Sequence, residues 1–283
     1  MKLKGASHLN EQVNMEPKYE EQFTAFIDFL GFSEVSTHTD DTTRLKLLNL
    51  LLSLSSLRGE FDVQSTVEES GKRSQIKPAI TTFSDHIVIS FPLEPIVKEM
   101  GSDEHVASFI IMMQFNRLLT TIAAAALRIG FLIRGGATIG NLYHARGVVF
   151  GDAMVEAYKI ESRTSVYPRV VLSSQITRRA AWIEKQMDLM KGDDGLYQFD
   201  YYKPLILNAA IPGQDYGANI RAWFTDVIEI VARNLKELES SGKLNELAKW
   251  TWFAREFRRG LERMNPMLLK SFDISLDAIS WSV

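Results

Sequence analysis

Two apolar segments each carry one aspartate, and these two carboxylates are the groups in the chain best placed to do chemistry. The first segment is Phe26-Ile27-Asp28-Phe29-Leu30-Gly31-Phe32. The second is Ile80-Thr81-Thr82-Phe83-Ser84-Asp85-His86-Ile87-Val88-Ile89. Each reads as a buried β-strand, apolar on both faces. A carboxylate in such a place is costly to desolvate unless it is paired or binds a cation. On adjacent strands, Asp28 and Asp85 would form an oxygen-ligand site for Mg²⁺ or Mn²⁺. Gly31, just after the first segment, lets main-chain amides approach a phosphate at the start of a following helix. The combination implies metal-assisted chemistry on a nucleoside triphosphate. Asp28 alone also reads as a turn or helix cap, the commoner role of a lone aspartate at a strand end, whereas Asp85 sits inside its apolar run and is harder to explain that way.

The elements that must position these residues follow from pattern. Residues 1–19 are polar and read as a flexible arm, and 22–32 as a strand. Leucines at helical spacing predict a helix over Thr42 to Leu57, and the polar stretch 59–75 a flexible loop. Residues 79–91 form a strand or the heart of a hairpin, punctuated by Pro92 and Pro95. A long helix over 103–128, capped at Gly130, leads to a strand at 131–139. A second hairpin (141–150), a helix (151–165), a strand from Val166 to Ser174 and a tyrosine-rich strand (196–208) follow. Asn219 to Leu268 is helical. The order β-α-β-β-α-β-(β)-α-β predicts a ferredoxin-like α+β sheet over residues 20–208, with 209–283 as a helical C-terminal extension.

Composition narrows the partners. A chain of 283 residues that is 46% hydrophobic has ample core. A net charge of −3 argues against bulk nucleic-acid binding, which needs a basic face. With no cysteine there are no disulfides, cysteine-ligated zinc or thiol nucleophiles, which suits a cytoplasmic setting. No signal-type stretch opens the sequence. The apolar run Phe109 to Ile133 is broken by Gln114, Asn116, Arg117 and Arg128, so it reads as a core helix plus strand rather than a membrane span.

Further motifs extend the pattern: Ile133-Arg134-Gly135-Gly136-Ala137-Thr138-Ile139-Gly140, the run Gly151 to Ser162, and Arg169-Val170-Val171-Leu172-Ser173. With the two aspartate segments, these resemble class III nucleotidyl cyclases over roughly residues 22–205. The resemblance implies two divalent ions, Mn²⁺ or Mg²⁺, on Asp28, Asp85 and the Phe29 carbonyl. It implies β- and γ-phosphates held by the amides of Phe29, Leu30, Gly31 and Phe32 and by Arg169. It further implies a homodimer with composite sites, in which Thr81, Val148, Val155 and Lys159 face the nucleotide held by the partner subunit.

The departures from the family pattern bear on substrate. The adenine-reading lysine and aspartate positions of that family fall on Thr81 and Val148, so purine selection by a charged pair is lost. Its ribose-orienting asparagine falls on Val155 and its transition-state arginine on Lys159, which keeps charge but not the bidentate fork. The segments Ala25 to Ser33, Arg134 to Gly136, Ala157 to Glu161, Tyr167-Pro168-Arg169 and the tail Lys249-Trp250-Thr251-Trp252-Phe253 are similar to one branch, the pyrimidine cyclases of bacterial Pycsar antiphage systems. That branch implies UTP or CTP as substrate, a 3′,5′-cyclic monophosphate as messenger, and a downstream effector that the messenger activates. A purine cyclase with an unusual pocket, and a catalytically silent cyclase fold, remain as alternatives.

Several residues have simpler readings. Arg134 is expected as a structural ion-pair partner, His86 as a core histidine on the opposite strand face from Asp85, and His144 as a solvated hairpin residue. Lys159 near Glu156 and Arg163 reads also as a solvated helix face, Lys191 as a turn lysine, and Gly135-Gly136 as a strand irregularity. Trp250 and Trp252 read as packing or dimer contacts.

Overall fold

Strand β1 (Glu20–Leu30) lies inside the sheet, and its alternation separates two faces. Phe23, Ala25, Ile27 and Phe29 enter the main core, whereas Phe26 packs with Val88 and Ala157 on the opposite side. The computed structural model describes residues 19–32, 41–56, 63–64, 75–76, 78–99, 103–179, 189–202, 205, 215–279 and 281. The arm expected over 1–19 lies outside these except for Tyr19, whose ring meets Phe150 edge-on at 5.6 Å. The 59–75 segment is described only at its paired strands β2 (Val63–Gln64) and β3 (Gln75–Ile76).

Helix α1 (Asp41–Ser56) follows β1, and β4 (Ala79–Phe83) and β5 (His86–Pro92) form a hairpin. Helix α2 (Leu93–Glu99) leads to α3 (Glu104–Arg128), then β6 (Leu132–Ala145) and β7 (Val148–Phe150). Spatial order β4-β5-β1-β6 with every neighbour antiparallel is the ferredoxin-like βαββαβ arrangement, so the expected α+β class holds. Helix α4 (Asp152–Arg163) then crosses over to β8 (Val170–Leu172), parallel to β6. Short α5 (Ser174–Arg179) follows, and β9 (Leu189–Lys191) and β10 (Tyr197–Phe199) complete the sheet beyond β8.

Two expected strands are shorter in the structure. The chain from Val166 to Arg169 is a loop, because the Pro168 carbonyl accepts from the hydroxyls of Tyr201 and Tyr202 at 2.9 and 2.5 Å rather than joining a ladder. The strand expected over 196–208 is β10 alone, and Tyr201 and Tyr202 turn inward beyond it; residues 203, 204 and 206–208 lie outside the described residues. The helical stretch expected from Asn219 to Leu268 consists of three helices: α6 (Tyr216–Ser241), α7 (Leu244–Glu262) and α8 (Pro266–Ser271). Gly242 at φ 69° ends α6 in a left-handed cap, and Asn265 caps α8, whose first residue is a proline.

Helix α3 passes a membrane span by length and composition, yet 67% of its most apolar window is buried inside the protein. Its Phe115 stands 4.6 Å from the Phe23 ring centroid and 5.1 Å from that of Phe91. Asp103 starts the helix by accepting from the amides of His105 and Val106. The C-terminal helices share this core through Trp223, Val227, Trp250, Phe253, Phe257 and Leu261. The Trp223 indole donates to the Leu205 carbonyl, and the Arg128 guanidinium lies over its ring at 4.1 Å.

Strand β6 runs unbroken through Gly135 and Gly136, so the pair is not an irregularity. It lets helices and strands approach: a Cβ on Gly136 would meet the Ala157 carbonyl and come within 2.6 Å of the Ile160 Cβ. Gly136→Ala is expected to lift α4 from the sheet and cost on the order of 1–3 kcal/mol. A urea denaturation series should show the unfolding free energy falling by that amount, with a lower midpoint at unchanged slope; an unchanged midpoint would mean that the contact does not constrain α4.

Candidate active site

Asp28 occupies the carboxyl-terminal part of β1 on the α4 side, the same face as Phe26. Its direct cross-strand neighbours are Arg134 on β6 and His86 on β5. Opposed residues in an antiparallel ladder share a face, so the three side chains converge. Asp85 is not within a strand, as its apolar neighbours suggested, but in the tight turn between β4 and β5, where Ser84 has φ 54°. That turn resets the alternation. His86 therefore faces Asp28 rather than pointing away, which corrects the core reading of this histidine. The Phe29 amide donates to the Asp85 carbonyl at 3.0 Å and ties the two aspartate-bearing segments together.

The resulting cluster is compact. His86 Nδ1 is 2.9 Å from Asp85 Oδ1, and His86 Nε2 is 3.8 Å from Asp28 Oδ1. One donor atom from each of Asp28, Asp85 and His86 lies within 4.8 Å of the others. With oxygen–metal bonds of about 2.0–2.6 Å, ligands across one ion stand about 4–5 Å apart, so this span fits a divalent cation. Carboxylate donors suit Mg²⁺ or Mn²⁺, and an imidazole is tolerated better by the transition metal. Asp28 Oδ1 and Asp85 Oδ2 accept no hydrogen bond among the described residues and remain for such an ion.

Asp28 is not isolated in apolar surroundings. Its Oδ2 accepts from Arg134 Nε at 2.8 Å, and Arg134 Nη2 lies 2.7 Å from Glu161 Oε1 of α4. The second contact has the distance of an ion pair without the alignment of a hydrogen bond, since Glu161 Oε1 has no aligned donor. Burial pushes the Glu161 carboxyl above its ordinary range; the charge of Arg134 opposes this, while Asp28 and Asp85 reinforce it. Arg134 is thus the ion-pair partner that its position predicts.

These groups line a cavity of about 350 Å³ together with the main chain of Phe29, Leu30, Gly31 and Phe32. Gly31 has φ 96°, a turn that other residues rarely adopt. Tyr158, Ser162 and Lys249 complete the wall.

The other sequence-predicted residues lie elsewhere on the chain. Arg169 opens into a different cavity, of about 490 Å³, between the β9–β10 turn and α7. There it pairs with Asp194, donates to Gln198 Oε1 at 3.3 Å and lies 3.5 Å from the Thr164 carbonyl. That pairing holds the Asp194 carboxyl below its ordinary range. Lys191 lines the same cavity. Lys159 and Val155 border a groove with Gly140, Asp152 and Gln175. Val148 is exposed on β7. Thr81 shares the Asp28 face of the sheet, but its hydroxyl meets His144 Nε2 at 2.9 Å, and His144 Nδ1 meets Ser90 Oγ at 2.8 Å. His144 is therefore buried rather than solvated: β6 alternates there, and Leu142 and His144 point inward together.

No protein-family model matches the chain, and no curated protein matches it. Solved structures do resemble it. A bacterial light-regulated adenylyl cyclase is 13% identical over 76% of this chain and 59% of that chain, with a TM-score of 0.41. A second structure of a bacterial light-regulated adenylyl cyclase is 14% identical over 76% of this chain and 58% of that one, with a TM-score of 0.38. An adenylate/guanylate cyclase/hydrolase from Silicibacter pomeroyi is 16% identical over 64% of this chain and 97% of that one, with a TM-score of 0.33. The chain thus spans 59% and 58% of the first two proteins. Similarity at this level does not fix a function; the residues of the site must do so.

Sequence reasoning missed three participants. His86 was hidden by the turn, Glu161 was visible only as the end of a helix motif, and Lys249 sits about 160 residues beyond Asp85 on an element that no local pattern links to the aspartates.

Proposed function

We propose that the chain is a metal-dependent nucleotidyl cyclase that converts UTP to 3′,5′-cyclic UMP and pyrophosphate. The observation that carries this reading is the cluster of Asp28, Asp85 and His86 beside the Gly31 turn, in a cavity with hydrogen-bonding main chain on one wall. In the reaction the ribose 3′-oxygen attacks the α-phosphorus, the bond to the bridging oxygen breaks, and pyrophosphate leaves. Divalent ions held by Asp28, Asp85 and the Phe29 carbonyl would acidify the 3′-hydroxyl and offset phosphate charge. The amides of Leu30, Gly31 and Phe32 orient the phosphates, since the expected Phe29 amide is already engaged by the Asp85 carbonyl. Arg134 holds the Asp28 carboxylate in its orientation, and Glu161 keeps Arg134 in place.

The remaining residues act from a second copy of the chain. Thr81, Val148, Val155 and Lys159 are absent from the Asp28 cavity, which accords with their facing a nucleotide held by a partner subunit. Val148, Phe150, Val155 and Tyr158 leave an apolar surface around β7 and α4 that a twofold partner would cover. Lys159 then supplies positive charge to the α-phosphate. Thr81 reads a pyrimidine edge through its hydroxyl, directly or through water. The cyclic nucleotide would serve as a messenger in antiphage defence and activate a separate effector.

The test is incubation of the purified protein with equimolar ATP, GTP, CTP and UTP in Mn²⁺ or Mg²⁺, with chromatography of the products. Cyclic UMP is the expected dominant product. Cyclic CMP would retain the mechanism and change only the base. Cyclic AMP or cyclic GMP would overturn the reading of Thr81 and Val148. No product in either metal would favour the silent alternative, to which valine and lysine at 155 and 159 already lend some weight.

A further inference from the structure

Terminal phosphates carry more negative charge than amides alone can balance, and the cation expected for them, Arg169, opens into the other cavity and is paired there with Asp194. Lys191 lines that cavity too. Within the Asp28 cavity three carboxylates, Asp28, Asp85 and Glu161, face two permanent cations, Arg134 and Lys249. Arg134 is committed to Asp28 and Glu161. Lys249 forms no ion pair among the described residues.

We propose that Lys249, carried by the C-terminal helix α7, binds the terminal phosphates of the triphosphate and the pyrophosphate that departs. This rests on the cyclase reading and gives the C-terminal extension a role inside the active site. The position of Lys249 is set by packing rather than by a loose tail. The next residue, Trp250, is buried, as are Phe253 and Phe257 one and two turns on. Trp252 stacks on Tyr167 with ring centroids 5.5 Å apart and planes 9° from parallel. Glu256 on the same helix is buried and accepts from Arg259 at 2.8 Å. The helix therefore holds Lys249 at the cavity that Phe29, Leu30, Gly31 and Phe32 also line. An ammonium with three rotatable donors suits a phosphate that must rotate and leave, where a fixed guanidinium fork would constrain it.

The experiment compares wild type, Lys249→Ala, Lys249→Met and Lys249→Arg, with Lys236→Ala on the exposed face of α6 as control. Two quantities are read: cyclic-nucleotide formation against UTP concentration, and calorimetric binding of inorganic pyrophosphate with Mn²⁺. Lys249→Ala and Lys249→Met are expected to weaken pyrophosphate binding roughly tenfold or more, about 1.4 kcal/mol, and to lower kcat/KM by at least that factor. Lys249→Arg should restore most of the binding. The methionine variant keeps the apolar stem, so a folding defect in the alanine variant does not decide the outcome. Unchanged pyrophosphate binding in a folded Lys249→Met protein overturns the proposal even if the wild type is an active cyclase. A wild type that binds pyrophosphate through Lys249 but forms no cyclic product would instead refute the cyclase reading.

Discussion

Asp28→Asn and Asp85→Ala are each expected to lower cyclic-nucleotide formation on the order of a thousand-fold or more while leaving the protein folded. The two positions differ in what removal does to the fold. Asp85 sits in a turn and its side chain is a quarter exposed, so alanine there costs little packing. Asp28 is buried and bonded to Arg134, and breaking a buried pair commonly costs about 3–5 kcal/mol because a charge is left alone. Here Arg134 would not be left alone, since Glu161 remains 2.7 Å from its other nitrogen. Asparagine also keeps an oxygen acceptor of the same shape, so Asp28→Asn should melt near wild type. Manganese binding by calorimetry and product formation should fall together in both variants. Full activity of either in Mn²⁺ would remove the aspartate cluster from the mechanism.

The contrast with Arg134→Ala sharpens this. That change leaves the Asp28 and Glu161 carboxylates facing one another across the cavity wall, and the Glu161 carboxyl is already pushed upward by burial and by both aspartates. Loss of activity in Arg134→Ala would report on the fold as much as on chemistry. For that reason the aspartates, not the arginine, are the informative substitutions.

How far the sequence was legible depended on range. Strand β1 and helix α3 were clear because their apolar period is long and their ends carry turn or cap residues. The hairpin was visible as one apolar run, but the run hid its own turn: Ser84 and Asp85 look like strand interior beside Phe83 and Ile87. That single misplacement put His86 on the wrong face. His144 was misread because a polar residue near a glycine suggests solvent, whereas its register beside Leu142 turns it toward Thr81 and Ser90. Both aspartates could be found from the sequence because a carboxylate among apolar residues conflicts with burial unless something compensates. Lys249 could not, since one lysine on an amphipathic helix is the ordinary composition of such a helix, and only tertiary packing brings α7 to the Gly31 turn. Arg169 shows the converse. Its place at a strand start was read correctly in sequence order, yet Asp194 and Gln198, on and beyond the β9–β10 turn, draw its side chain away from the aspartates.

Mixing two inactive variants is expected to restore activity. Asp85→Ala lacks a group of the aspartate cavity, and Lys159→Ala lacks a group of the separate groove bordered by Gly140, Asp152 and Gln175. If each site is assembled from the aspartate cavity of one subunit and the groove of its twofold partner, a mixed dimer has one site carrying both lesions and one carrying neither. Random exchange of equal amounts makes roughly half of the dimers mixed, so the mixture should recover roughly a quarter of wild-type activity from parents that have almost none. The apolar surface at Val148, Phe150, Val155 and Tyr158 gives a place to weaken the partnership independently. Phe150→Glu, on an exposed side chain paired with Tyr143 at the far end of β6 from the Arg134 that opposes Asp28, should leave the monomer folded, reduce the dimer in sedimentation, and abolish the recovery. Recovery that survives full dissociation of the dimer, or no recovery once subunit exchange is verified by mass, would mean that Lys159 acts within its own chain or not at all. In that case the nucleotide would have to be bound by the aspartate cavity and Lys249 of one subunit alone.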